Sequence, residues 1–401
     1  MPAGLSPTLR AVPTQRTAHL NAKLQGFGTT IFAEMSQLAT ATGSVNLGQG
    51  FPDTDGPREV LDAAIAAING GLNQYPPGPG MQVLREAISA HQLRFHGLSY
   101  DPASEVLVTA GATEALAGTL LALLDTGDEV VVLEPMFDSY APCIAMAGAI
   151  TKPVTIRPPH YGIDPDELRA AITPRTKLIL FNTPHNPTGR VFTRDEVQLI
   201  ADLAIEHDLL VVTDEVYEHL LFDGAQHVPL AGLPGMRERT LVISSGGKTF
   251  NTTGWKIGWV CGPAALVSAV RTAKQFLTYV NGGPFQPAIA VGLGLPDEFF
   301  AHLAADLQAK RDRLVPGLVD AGFTVFPTSA TYFVTVDIRP LRPDGDGMAF
   351  CRELPHHCGV VAIPTEVLYM HKHEGRHLVR FAFCKQLAVL DEAVDRLKRL
   401  A

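Results

Sequence analysis

Short apolar runs alternate with longer amphipathic stretches through the first three quarters of the chain. The apolar runs cover residues 105–109, 129–134, 177–182, 209–214 and 240–244, and stretches with helical spacing lie between them, as at 114–124 and 195–207. Runs that are short and apolar throughout are typical of strands buried on both faces. Their alternation with helices predicts an α/β fold, in which a mostly parallel central sheet is flanked by helices.

The pattern changes after residue 295. A long helical pattern at 298–321, a hairpin-like pair at 323–326 and 332–336, and an amphipathic helix at 390–400 predict a smaller α+β domain. A chain of 401 residues is too long for one compact core, so we expect two domains. We assign 51–295 to the large domain, 296–401 to the C-terminal small domain, and 1–50 to an N-terminal arm and part of the small domain.

Polar residues follow three of the buried runs at their carboxyl ends. Asn182 and Asn186 follow the third run, Asp214 and Tyr217 follow the fourth, and Lys248 follows the fifth. Because ligands bind outside the carboxyl ends of strands in open α/β sheets, we expect these side chains to share one site.

Lys248 lies in a small, hydroxyl-rich turn, SSGGKTF at 244–250. A lysine held by a buried strand can form a Schiff base with a carbonyl, and nearby serines and backbone N–H groups can hold a phosphate. These two features together suggest pyridoxal 5′-phosphate (PLP), an aldehyde that carries a phosphate and serves as an electron sink. A carboxylate such as Asp214 would keep the pyridine nitrogen protonated. A lone lysine in a turn is more often a surface residue, so the other motifs decide the interpretation.

Six motifs in order resemble those of one family. They are NLGQGFP at 46–52, NQY at 73–75, NTPHNPTG at 182–189, DEVY at 214–217, SSGGKTF at 244–250 and LVRF at 378–381. In these motifs the chain resembles the class I/II aminotransferases of PLP fold type I. It is most similar to the branch of kynurenine/glutamine, methionine and N-succinyldiaminopimelate aminotransferases. The resemblance runs from about residue 32 to residue 380, and it implies the PLP-dependent transferase fold type I.

The resemblance implies roles for individual residues. Lys248, Asp214 and Tyr217 would be catalytic. Gly111 to Thr113 with Ser244 and Lys256 would hold the phosphate, and Phe137 would stack on the ring. The residues it assigns to the cofactor are Tyr75, Gly111, Ala112, Thr113, Phe137, Asn182, Asn186, Asp214, Tyr217, Ser244, Lys248 and Lys256.

Substrate contacts follow from the same resemblance. Arg380 would grip the α-carboxylate, which suits a planar guanidinium. Tyr75 and Tyr279 would reach the site from the other subunit, which implies a homodimer with shared active sites. The sequence around Tyr279 departs from common family patterns. The residues assigned to the substrate are Phe32, Gly50, Tyr140, Asn186, Tyr279 and Arg380.

Composition narrows the classes of partner and compartment. The net charge is −9, from 32 basic and 41 acidic side chains, which argues against a surface for nucleic acid or anionic membrane. Five cysteines without a tight spacing pattern indicate reduced thiols and a cytoplasmic setting. No apolar run has the length of a membrane span. The first 30 residues lack the apolar segment of a secretory signal, and the histidines at 371, 373 and 377 lack a metal-binding framework.

We therefore expect an aminotransferase that moves an amino group between an L-amino acid and a 2-oxo acid by a ping-pong mechanism. A PLP-dependent C–S β-lyase remains an alternative, because the same residues support β-elimination. A PLP-binding regulator is disfavoured, since the chain leaves no room for a DNA-binding module. The stretch 279–285 contains no arginine or lysine, which disfavours a strict aspartate enzyme. Glutamine, methionine, kynurenine, other aromatic amino acids and N-succinyldiaminopimelate remain as candidate donors.

Overall fold

The computed structural model describes residues 19–28 and 30–400. Its strands, in chain order, are β1 (Val45–Asn46), β2 (Val106–Ala110), β3 (Glu129–Glu134), β4 (Ile150–Thr155), β5 (Thr176–Asn182), β6 (Leu210–Asp214), β7 (Thr240–Ser245), β8 (Ile257–Cys261), β9 (Thr324–Val325), β10 (Phe333–Asp337), β11 (Val360–Val361), β12 (Ile363–Pro364) and β13 (Leu378–Ala382).

Helices surround these strands. They are α1 (Ile31–Thr42), α2 (Arg58–Asn69), α3 (Gln82–His96), α4 (Gly111–Leu123), α5 (Tyr140–Ala147), α6 (Pro165–Ala171), α7 (Arg194–Glu206), α8 (Gly246–Thr249), α9 (Ala264–Lys274), α10 (Phe285–Leu293), α11 (Asp297–Asp320), α12 (Gly347–His357), α13 (Lys372–Gly375) and α14 (Leu387–Leu397). Short 3₁₀ turns lie at Ala22–Leu24, Leu230–Gly232, Thr253–Trp255, Thr365–Leu368 and Lys398–Leu400.

A seven-stranded sheet with the order β2-β8-β7-β6-β5-β3-β4 forms the centre of the larger part of the molecule. β4, β3, β5, β6 and β7 pair in parallel, and only β8 runs antiparallel to its neighbours β2 and β7. The predicted α/β architecture with a mostly parallel sheet is confirmed. The five predicted strands match β2, β3, β5, β6 and β7 to within one residue at each end, whereas β4 and β8 were not predicted.

A second core joins the two ends of the described chain. β12, β13, β10 and β9 form an antiparallel sheet, and β1 pairs in parallel with β11. Met35 and Leu47 pack there in one hydrophobic cluster with Leu314, Phe381 and Leu390. This packing agrees with the expected link between both ends of the chain. The boundaries at residues 50 and 295 stay a prediction, and residues 1–18 of the proposed arm lie outside the described residues.

Among the described residues, no single helix is long and apolar enough to cross a membrane. The only combination there that passes on length and composition is α10 with α11, a pair bent by 91°.

Candidate active site

A cavity of about 200 Å³ lies at the carboxyl ends of β5, β6 and β7, beside the start of α4. Parallel pairing places Asn182 opposite Asp214 at the ends of β5 and β6, which is why residues 32 positions apart meet. The predicted residues on its wall are Gly111, Ala112, Thr113, Phe137, Tyr140, Asn182, Asn186, Asp214, Tyr217, Lys248 and Lys256. The structure thus brings together most of the predicted site.

One end of the cavity is suited to an anion. α4 begins at Gly111, directly after β2, and no side chain caps its N-terminus. Gly111 has φ +73°, and a Cβ built on it would lie 3.4 Å from the Lys256 Nζ. The Asn281 amide donates to the carbonyl oxygens of Thr109 and Lys256 at 3.0 and 3.1 Å, which fixes the two segments together. Free first-turn N–H groups beside an ammonium form a site for a phosphate.

Ser245 belongs to the same wall, and Ser244 does not. The Ser244 hydroxyl donates to Glu218 Oε1 at 2.7 Å in the buried interior, whereas Ser245 lines the cavity. Successive side chains of a strand point to opposite faces, so a shift of one residue exchanges the two environments. The structure therefore contradicts the assignment of Ser244 to the phosphate, and Ser245 is the serine that faces the cavity.

A buried carboxylate lies elsewhere on the wall. Asp214 Oδ2 accepts a 2.6 Å hydrogen bond from the Tyr140 hydroxyl. Burial raises the pKa of Asp214 to about 6, and the Tyr140 hydroxyl and the Val216 amide oppose that rise. A cation next to this carboxylate would restore its charged form. Tyr140 lines the cavity, and its hydroxyl positions the carboxylate of Asp214, whereas its predicted contact with a substrate stays a prediction.

Lys248 follows β7 within the single turn of α8. Burial lowers the pKa of Lys248 to about 8, so a useful fraction of the amine is neutral at physiological pH. Its Nζ lies 5.8 Å from the ring centre of Tyr217 and 5.6 Å from that of Tyr332. Tyr332 was missed in the sequence, where it reads only as an aromatic residue at the start of a predicted strand. Its hydroxyl donates to the Gly50 carbonyl oxygen at 2.7 Å.

Asn182 and Asn186 have different hydrogen-bond partners: Asn182 holds the backbone of the site, and Asn186 contacts Arg380. Asn182 Nδ2 donates to the Asp214 carbonyl oxygen at 2.8 Å, and Asn182 Oδ1 accepts from the Asn186 backbone N–H at 2.7 Å. Asn186 Oδ1 accepts from Arg380 Nη1 at 2.9 Å. Because that oxygen faces the guanidinium, the Asn186 NH₂ group remains as a donor for a ligand.

Arg380 is a buried cation in the middle of β13, with 3% of its surface exposed. Its guanidinium lies 3.9 Å from the ring centre of Phe333 and 5.3 Å from that of Phe32. Nε has no hydrogen-bond partner, and no acidic side chain of the described residues forms an ion pair with this arginine. Burial lowers the pKa of Arg380 to about 10. A buried guanidinium without a counter-charge indicates a site for an anionic ligand such as a carboxylate.

Phe32 contacts this arginine, and Gly50 packs against Phe333, the ring on which the guanidinium lies. A Cβ on Gly50 would lie 2.4 Å from Phe333 Cζ, so the backbone approaches where no side chain fits. Both residues are near the expected carboxylate site, and their contact with substrate stays a prediction.

Tyr75 and Tyr279 do not line the cavity of their own chain. Their rings are in edge contact at 5.8 Å, and they are 82% and 52% exposed. The Lys274 ammonium donates to the Tyr279 carbonyl oxygen at 2.7 Å and fixes that loop. A role in the site of another subunit stays a prediction for both tyrosines.

Known proteins match this chain in sequence over nearly its whole length. The family model described as aminotransferase class I and II matches residues 42–397. A probable N-succinyldiaminopimelate aminotransferase, DapC, from Mycobacterium tuberculosis is 52% identical over 389 residues, which is 94% of this chain and 98% of that protein. The methionine aminotransferase of Escherichia coli is 39% identical over 94% of this chain and 97% of its own length.

A solved structure of N-succinyldiaminopimelate aminotransferase from Mycobacterium tuberculosis has a TM-score of 0.93 and 53% identity, and the match covers 95% of this chain and 100% of that one. The family model and these full-length matches agree with the resemblance in the motifs. The fold is that of the fold type I aminotransferases, and the chain belongs to the class I and II aminotransferases.

Proposed function

We propose that this aminotransferase works with PLP at the cavity of Lys248. The observation that carries the proposal is the joint presence of three groups on one wall. A buried lysine amine, a buried carboxylate and an uncapped helix N-terminus match the aldehyde, the ring nitrogen and the phosphate of PLP.

The residues fit the parts of the cofactor one by one. The amides of Gly111 to Thr113, with Ser245 and Lys256, would hold the phosphate. Asp214 would pair with the ring nitrogen, and Asn186 and Tyr217 would donate to the ring oxygen. Phe137 would pack on the ring face, and Lys248 would bind the aldehyde. When bound there, PLP supplies an electron sink for the charge that develops at the substrate α-carbon.

The protein's own groups supply binding and proton transfer. Arg380 holds the α-carboxylate and thereby orients the α-carbon. The neutral amine of Lys248 would then take the α-proton, hold it on Nζ and release it again in the reverse transfer. A pKa near 8 suits both steps. Tyr140 keeps the Asp214 carboxylate charged and oriented by its hydrogen bond. An amino acid and a 2-oxo acid would use this site in turn, which gives a ping-pong mechanism.

N-succinyldiaminopimelate is the amino donor that we propose. Support comes from a relative of that name with 52% identity over nearly the whole chain, against 39% for the methionine aminotransferase. Methionine, kynurenine and glutamine are the competing donors.

The test compares these donors with 2-oxoglutarate as acceptor. We expect the highest kcat/KM for N-succinyl-L,L-diaminopimelate, and a higher value for methionine or kynurenine would overturn the donor. Borohydride reduction should fix PLP to the peptide that contains Lys248. Recovery on Lys256 would overturn the cofactor assignment. Release of pyruvate and ammonia from cystathionine at a higher rate than transamination would favour the C–S β-lyase.

We further propose a homodimer in which each site borrows Tyr75 from the other subunit. Support comes from the exposure of Tyr75 and Tyr279 beside each other and from the match of the NQY motif. A cytoplasmic location is proposed on the ground that all five cysteines are free and buried.

A further inference from the structure

A second cavity of about 500 Å³ lies between residues 26–28 and 30–32, the start of α5 and residues 367–372. Much of its wall is apolar, with Phe27, Ile31 and Leu368 among the lining residues. Two charged side chains also line it, Asp138 and Lys372. A cavity with apolar walls and a few polar groups is the usual form of a small-molecule site.

This second cavity adjoins the expected carboxylate site. Phe32 belongs to its wall, and the ring centre of Phe32 lies 5.3 Å from the Arg380 guanidinium. Asp138 directly follows Phe137, which lines the Lys248 cavity. Burial raises the pKa of Asp138, and the charge of Arg380 opposes that rise, so these two side chains are close enough to interact. The side chain of an amino acid held at Arg380 therefore has this cavity within reach.

The rim carries apolar side chains that solvent reaches. Phe27 is 39% exposed and Met370 is 50% exposed. When a ligand lies against such residues, they shield its methylene groups from water. The free energy gained scales with the apolar area that is buried. The wall is therefore suited to an extended aliphatic chain.

Lys372 supplies a cation that no protein group neutralises directly. It is the first residue of α13, and no acidic side chain of residues 19–28 and 30–400 forms an ion pair with it. Glu366 lies near Lys372. Burial raises the pKa of Glu366, and the charge of Lys372 opposes that rise. Among the described residues that line this cavity, Lys372 is the only cation, so it is the partner for a negatively charged group there.

We propose that this cavity binds the side chain of the amino donor and that Lys372 selects donors whose long side chain ends in a carboxylate. The aliphatic part would pack on Phe32, Phe27 and Met370, and the carboxylate would pair with the Lys372 ammonium. The N-succinyl tail of the proposed donor has this chemistry. The inference rests on the proposed function, because it assumes an amino acid held at Arg380.

The experiment uses two donors that differ only at the tip of the side chain. Nε-succinyl-L-lysine ends in a carboxylate, and Nε-butanoyl-L-lysine has a methyl group in its place. We expect the wild-type enzyme to prefer the succinyl compound. Lys372→Gln should lower kcat/KM for that compound roughly 5- to 10-fold, as for a partly exposed ion pair, and leave the butanoyl compound unchanged. Lys372→Arg should keep the preference.

The control variant is His373→Gln, because His373 follows Lys372 in α13, its side chain is 78% exposed and it does not line this cavity. It should leave both donors unchanged. Binding is measured separately by calorimetry with 6-(succinylamino)hexanoate and 6-(butanoylamino)hexanoate, which lack the amino group and cannot react. Tighter binding of the succinyl compound should disappear in Lys372→Gln.

The outcomes separate the two proposals. Transamination of neither lysine derivative nor of N-succinyl-L,L-diaminopimelate would overturn the proposed donor. Transamination of the succinyl compound with an equal preference in wild type and Lys372→Gln would overturn the role of Lys372 and leave the proposed function in place. A wild-type enzyme without a preference for the succinyl over the butanoyl compound would also overturn it.

Discussion

Burial moves two ionisable groups of the cavity towards their neutral forms. The pKa of Lys248 falls to about 8, and the pKa of Asp214 rises to about 6. The lysine effect favours nucleophilic attack, because only the neutral amine reacts with an aldehyde. The aspartate effect weakens the preference for the charged form, and a cation bound beside the carboxylate would lower its pKa again.

The pH dependence of cofactor capture follows from the Lys248 pKa. We expect the rate at which cofactor-free enzyme binds PLP covalently to rise with pH and to level off above about 8. The amine is protonated below that pH and neutral above it. The rate of covalent PLP binding is measured between pH 6 and 10 by stopped-flow absorbance of the lysine-bound cofactor. A rate that still climbs steeply near pH 10 would contradict the lowered pKa.

The neighbouring serines provide a matched pair of variants. Ser245→Ala should weaken PLP binding, because it removes a hydroxyl from the cavity wall. Ser244→Ala should leave PLP binding unchanged and lower the free energy of unfolding by about 1.5–3 kcal/mol, since it removes a buried hydrogen bond to a carboxylate. Fluorescence titration with PLP and urea unfolding separate the two effects. The reverse assignment of effects would restore Ser244 to the phosphate site.

At the scale of single residues, the sequence predicted which residue types belong to the site but not which way each side chain points. Lys248, Asp214 and Asn186 were found because each follows a buried strand, and the sheet brings such ends together. Ser244 was misassigned because both serines suit a phosphate, and only the alternation along β7 separates them. The hydrogen bond from Tyr140 to Asp214 joins residues 74 positions apart, so no local pattern reveals it.

At the scale of elements, the approach of β8 to the start of α4 sets the anion site. A Cβ on Gly258 would lie 2.5 Å from the Gly111 carbonyl carbon and 2.7 Å from the Ala112 nitrogen. Only glycine therefore lets β8 pass close enough for the α4 amides and Lys256 to face the same ligand.

The variant Gly258→Ala tests this contact. We expect a loss of roughly 1–3 kcal/mol in stability and weaker PLP binding, because backbone atoms must move away from the added methyl group. Gly254→Ala is the control, since a Cβ there meets nothing within 4 Å and its φ is not positive. Calorimetric melting and PLP titration are the measurements. If both variants melt and bind alike, the close approach does not determine the site.

Element prediction succeeded where the pattern is long and uniform. β5, β6 and β7 are buried along nearly their whole length, and α11 follows its predicted range within one residue at each end. β8 was missed because it includes a glycine and follows a turn rich in glycine and tryptophan. β1, β11 and β12 have two residues each, and only tertiary pairing makes them strands.

At the scale of the whole molecule, the site draws on two cores. Asp214 and Lys248 extend from the seven-stranded sheet, whereas Arg380 lies in the antiparallel sheet that packs with α1 and α14. The contact from Arg380 to Asn186 spans 194 positions of the chain and connects them. Because Asn186 lines the Lys248 cavity, a change in the relative position of the two cores would alter the surroundings of Arg380 and the cavity wall together.

Subunit complementation tests the proposed dimer. Lys248→Ala chains are inactive, and Tyr75→Phe chains are expected to hold PLP weakly. In a mixed dimer with Tyr75 acting across the interface, one site carries both lesions and the other carries none. Mixing should then restore activity above the mean of the parents, measured after co-refolding at equal amounts. Activity that never exceeds that mean, or a fully active monomer in sedimentation, would remove the shared site.

Through Arg380, the binding of a substrate carboxylate would also affect the thermal stability of the protein. Its charge is buried against Phe333 and Phe32, and no carboxylate of the described chain forms an ion pair with it. Before a substrate arrives, the protein therefore tolerates an unfavourable charge that a binding carboxylate relieves. A ligand whose carboxylate binds at Arg380 would raise the melting temperature of the protein. In a cell, the supply of amino and oxo acids would then govern how long each molecule survives as well as how fast it turns over.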